Sequence, residues 1–203
     1  IYFSKRRYKS KENKIYSILI ITSFIGVLLE LGCRLTIPLL NEIPKTTFLI
    51  TKLYLVYLLT WVTLLSLYTF IIVNKSQSKF KHTKISIIIT YIINIIIIFY
   101  LPINYYNDGE LMYTYGLSVY WVYIVSFVYI IISIINILLS KTNLKDKKLI
   151  PIIAFIIIGT ITTIIQLINP GMLLVTSMET FVTVLMYFTI ENPDMKMLEE
   201  VNK

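Results

Sequence analysis

Residues 85–103 read ISIIITYIINIIIIFYLPI. From Ile85 to Phe99 the run is apolar almost without a break, so the period-two alternation of a membrane barrel strand is missing. It is apolar on every face as well, which excludes a surface helix of a water-soluble fold. A hydrocarbon core about 30 Å thick takes roughly 20 residues of helix to cross. The stretch therefore reads as a membrane-spanning helix.

Five further segments pass the same test: 15–32, 47–73, 117–139, 149–168 and 172–190. The expected fold class is all-α, a polytopic membrane helix bundle with six spans. Composition agrees, since 57% of the 203 residues are hydrophobic and 15% charged, with mean hydropathy +0.77. Soluble domains carry about 25% charged residues. A soluble enzyme, a secreted disulfide scaffold and a disordered tail are excluded. Cys33 is the single cysteine, so it makes no intrachain disulfide and reads as a small buried hydrophobe.

The chain is basic, with a net charge of +8. Its cations sit in alternate loops: six from Lys5 to Lys14, four from Lys75 to Lys84, four from Lys141 to Lys148, then Lys196 and Lys203. The other loops hold Arg34, Lys45 and nearby Lys52. Sixteen of 19 basic residues thus share one side, which the positive-inside rule makes cytoplasmic. The location expected is the plasma membrane, with both ends of this stretch inside. Anionic lipid headgroups are the natural partner of such charges, and no nucleic acid is needed to explain them. Ile1, Tyr2 and Phe3 abut the basic run, as the inner end of a further, truncated helix would, so the expected parent has seven spans. The expected layout is a cytoplasmic basic loop over 1–14, a membrane domain over 15–190 and the start of a cytoplasmic linker over 191–203.

The loop 104–116 has no Lys or Arg and places Asn107-Asp108-Gly109 between tyrosines. Asp-Gly between β-prone segments signals a hairpin, because glycine accepts the positive φ of a tight turn. A short extracellular β-hairpin over the bundle is expected. It reads either as a lid that touches a ligand or as an aromatic belt joining two helices. Asn169-Pro170-Gly171 signals a tight turn between antiparallel helices.

Ionisable and amide groups inside spans are expensive and mark candidate sites. Glu30 and Arg34 are four residues apart, on one face of the first helix. Glu179 lies eight residues past Gly171, about 12 Å deep at 1.5 Å per residue. Gln166 and Asn169 end the fifth segment, and Asn94 sits mid-way along the third. Glu30, Arg34, Gln166, Asn169 and Glu179 are the candidates for a ligand or signal pocket open to the outer leaflet. The alternative is an interfacial ion pair with interhelical hydrogen bonds. No catalytic residue, metal ligand or cofactor is assigned. His82 is the only histidine and stands among lysines, whereas zinc, haem and Ser–His or Cys–His chemistry need more. No Gly-rich phosphate loop is present.

Past the last span, Asn192 reads as an N-cap and Pro193 as the first helical residue. Met195, Leu198 and Val201 then recur every three residues, as in the opening turns of a coiled-coil stalk that pairs with its own copy. The run 187–203, YFTIENPDMKMLEEVNK, resembles the junction in a group of Gram-positive bacterial sensor histidine kinases, where a multi-pass membrane region hands over to a coiled-coil linker. QLINP at 166–170 and LPI at 101–103 are similar to that group too. The resemblance implies a membrane input domain of a two-component system. Asn192, Pro193, Met195, Leu198 and Val201 would form its signal-relay linker, and the chain would be a homodimer through the stalk. This stretch would not itself be an enzyme. The parent would be an ATP-dependent protein-histidine kinase, with ATP and Mg in the missing kinase domain and a response regulator as partner. Similar membrane regions also precede cyclic-dinucleotide-synthesising domains, so a diguanylate cyclase input domain is an alternative. A small transporter or permease subunit is the other. It would call for charges in several helices and symmetry-related halves, yet the chain has no internal repeat.

Overall fold

The computed structural model describes residues 11–73, 77–109, 111–139, 149–172 and 174–188. Six helices and a two-stranded sheet appear among them: α1 (Lys11–Thr36), α2 (Pro44–Val73), α3 (Gln77–Tyr100), β1 (Asn104–Asn107), β2 (Met112–Tyr115), α4 (Leu117–Leu139), α5 (Ile150–Ile168) and α6 (Leu174–Met186). Four of the helices, α1, α2, α4 and α5, are long and apolar enough to cross a membrane. The apolar part of α3, Ile85–Tyr100, and α6 are shorter.

Helix ends follow local chemistry. α2 opens on Pro44, whose missing N–H costs nothing in a first turn. α3 stops at Tyr100, short of the expected 103, because Pro102 has no N–H and disfavours helical geometry at Leu101. α1 extends past the expected 15–32 at both ends. The linker residues Asn192, Pro193, Met195, Leu198 and Val201 lie outside the described residues, as do the basic residues Lys5–Lys9 and Lys141–Lys148.

α2 is the hub. It packs against α1, α3 and α4, while α6 lies against α1 and α5 against α6. The core is built on α2 residues such as Leu55, Leu59, Trp61 and Leu65. At Gly26 the α1 backbone comes so close to α2 that a Cβ there would overlap the Tyr57 ring. The surfaces of α1 and α3 expose Phe24, Leu28, Leu31, Ile89 and Ile96, which suits a lipid solvent and not water.

Lipid supplies no hydrophobic drive between helices, so close packing and hydrogen bonds must hold them together. Threonines along α2 return their hydroxyl protons to the carbonyl four residues back, for example Thr51 to Thr47 (2.8 Å) and Thr63 to Leu59 (2.7 Å). Other groups reach across. The Asn94 amide oxygen accepts from the Trp121 indole at 2.9 Å, joining α3 to α4. Thr60 and Tyr91 join α2 to α3 at 2.6 Å, and Ser133 donates to Ser66 between α4 and α2 at 3.3 Å.

The hairpin forms as expected. Asn104 pairs with Tyr115 and Asn107 with Met112. Gly109 has φ +92°, and the Asp108 carboxylate accepts from the Leu111 N–H at 2.7 Å. Tyr106 and Tyr113 stack at 4.9 Å. The hairpin leaves α3 and α4, but its tip reaches further: a Cβ on Gly171, in the α5–α6 turn, would lie 2.9 Å from Leu111.

Candidate functional site

The first turn of α6 needs acceptors for backbone N–H groups that have no intrahelical partner. Gln166 supplies one. Its amide oxygen accepts from Leu174 and Val175, both at 3.2 Å. A buried glutamine of α5 thus caps the helix that carries Glu179. Asn169 ends α5, donating its N–H to Ile165 at 2.8 Å and accepting from Met172 at 3.0 Å. Its side chain is exposed.

One turn into α6, Thr176 meets the Tyr54 hydroxyl at 2.9 Å and stands beside the Glu30 carboxyl. Glu30, Arg34, Thr176, Ser177 and Thr180 line an open groove of about 500 Å³ between α1 and α6. Glu179 is 1% exposed. It lines a separate crevice of about 380 Å³ among α2, α4, α5 and α6. Neither of its carboxyl oxygens meets a donor in good hydrogen-bond geometry, and the Tyr57 hydroxyl is the donor that faces it. That hydroxyl has no partner other than Glu179. The charge of Glu30 also acts on Glu179.

The five expected site residues therefore divide. Glu30 and Arg34 share the α1–α6 groove, Glu179 lines a different cavity, and Gln166 caps α6 near a smaller recess. That recess, about 80 Å³, is roofed by Thr114 and Tyr115 of the hairpin and walled by Tyr54, Tyr123, Gln166 and Pro170. Asn169 takes no part in the groove or in either cavity.

Two features escape a reading of the sequence. Lys52 is fully buried. Its ammonium donates to the carbonyls of Ile98 (2.7 Å) and Leu101 (2.6 Å) and to the Ser118 hydroxyl (3.1 Å). A cation is well placed there, because the carbonyl end of α3 carries partial negative charge. Deeper in the bundle, the Trp61 indole donates to Ser23 at 3.0 Å, and Ser23 meets Thr183 at 2.9 Å. The Tyr16 hydroxyl donates to the Thr183 carbonyl at 3.0 Å. These groups clamp α6 to α1 and α2 one turn below Glu179. Short hydroxyl side chains recur in most of the spans, so nothing in their spacing marks this cluster.

Among the described residues, no group of three His, Cys, Asp or Glu is gathered for a metal. Comparison with known proteins returns no matching family model, no matching curated protein and no matching solved structure.

Proposed function

We propose that this chain is the membrane input region of a sensor histidine kinase, relaying a stimulus from the hairpin side through α6 to a cytoplasmic stalk. In this reading the chain crosses the bilayer six times, and α3 and α6 count as spans together with the four longer helices. The basic loops lie in the cytoplasm and the hairpin outside. Support comes from the resemblance at 187–203 and from the position of α6 next to that junction.

The observation that carries the proposal is Glu179. A carboxyl on α6, buried in a membrane bundle with only the Tyr57 hydroxyl beside it, is costly to keep. It makes α6 the element whose position depends most on what occupies the site. The hydroxyl clamp at Ser23, Trp61 and Thr183 gives the same helix a second set of bonds to keep or exchange. A ligand shifts such an equilibrium only by its difference in affinity for the two states. A 100-fold difference is about 2.7 kcal/mol, within reach of two hydrogen bonds to a charged group.

The test is autophosphorylation of the full-length protein in vesicles, comparing Glu179→Gln and Gln166→Ala with the unchanged sequence. A changed basal or stimulated rate in either variant is expected. Unchanged rates in both would remove this site from the relay. Production of a cyclic dinucleotide in place of histidine phosphate would replace the kinase with the cyclase reading.

A further inference from the structure

The crevice holding Glu179 opens sideways between α4 and α5. Val122, Phe127 and Ile130 line it from α4, and Phe155, Gly159 and Ile164 from α5. Leu58 and Val62 of α2, with Met178 and Glu179 of α6, complete it. Its volume is about 380 Å³, many times what a single water needs. The lining is apolar except for a few hydroxyls and one carboxyl. Of the hydroxyls, that of Thr160 is already committed to the Ile156 carbonyl at 2.6 Å. Among the described residues, no Lys, Arg or His lines the space.

We propose that this crevice binds a lipophilic amine taken up from the bilayer, with an alkyl body between α4 and α5 and an ammonium group against Glu179. The recognition follows from what the site lacks. A buried carboxylate with only a phenol hydroxyl beside it is strongly disfavoured, and a cation with several N–H groups is the partner that supplies both the opposite charge and the missing hydrogen bonds. The ammonium would donate to both Glu179 oxygens, beside the Tyr57 hydroxyl that already faces them. Lys52 cannot serve, because its three N–H bonds are spent on α3, Leu101 and Ser118. An apolar chain alone would fill the volume and leave the carboxyl as it is. The inference goes beyond the input reading and needs no output domain.

The test is binding to this chain in phosphatidylcholine vesicles, measured as saturable uptake of radiolabelled dodecylamine or dodecanol above that of protein-free vesicles. Dodecylamine should bind at least about tenfold more tightly than dodecanol, and Glu179→Gln should abolish that preference, changing dodecanol affinity by no more than roughly twofold. Thr163→Trp, at a half-buried position in the crevice wall, should weaken both. Equal affinities in the unchanged chain, a preference that survives Glu179→Gln, or uptake unaffected by Thr163→Trp would each overturn the proposal. So would the absence of saturable uptake. None of these results depends on kinase activity, so the two readings fail separately.

Discussion

Lys52 and Glu179 are both buried, yet the bundle treats them in opposite ways. The Lys52 ammonium has all three protons placed on oxygens, whereas the Glu179 carboxyl has only the Tyr57 hydroxyl beside it and no donor in good geometry. The ammonium ties α2, α3 and α4 together, and the carboxyl has room for a further partner. Lys52→Met should therefore strip the Leu101 carbonyl of its donor and cost about 1–3 kcal/mol. The readout is thermal unfolding in detergent followed by tryptophan fluorescence, and an unchanged midpoint would show that the ammonium adds nothing. Glu179 was legible in the sequence because a carboxylate interrupts an apolar run. Lys52 was not, since it stands near the start of α2 and counts as a loop charge. Its partners at Ile98 and Leu101 are backbone carbonyls, which leave no trace in side-chain spacing. Gln166 falls between: its polarity stood out, but capping α6 depends on how α5 and α6 meet.

The hairpin is the element the sequence described most fully. Asp-Gly at the turn and tyrosines on the strands located it, because turn chemistry is local. Its reach to Gly171 was not legible, since that depends on how far the α5–α6 turn leans towards it. At its tip the Tyr106 hydroxyl donates to the Asp108 carboxylate at 3.1 Å. That bond and the nearby negative charge hold the Tyr106 hydroxyl above the usual phenol range. The sign follows directly. The bond is intact below about pH 10, the ordinary tyrosine value, and is lost as pH rises through the raised one. In Asp108→Asn, Tyr106 should ionise at lower pH, nearer the ordinary value, as read by NMR of ring-labelled tyrosine. An unchanged titration would mean that the carboxylate does not control it. The six helices were equally plain as apolar runs, but their ends were not: Pro102 cut α3 short, while α1 ran on to Thr36.

Across the whole molecule, α2 gathers α1, α3 and α4, and α6 joins α5 to that group through α1. This order leaves α4 and α5 flanking a space instead of packing along their length. No pattern of hydrophobicity reveals that, because lipid-facing and crevice-facing positions are apolar alike. The hairpin spans the same division, rooted beside α4 and touching the turn after α5. Linking Leu111→Cys to Gly171→Cys with a short thiol-specific cross-linker should slow dodecylamine entry by about threefold or more, and reopening a cleavable linker should restore it. Entry at an unchanged rate would show that the two flanks move independently of the tip. Leu111 resting on Gly171 thus works as a clasp laid over a slit. Prying the flanks apart would then first lift the clasp, so anything that grips the tyrosine strands would gain leverage over what slips in between α4 and α5.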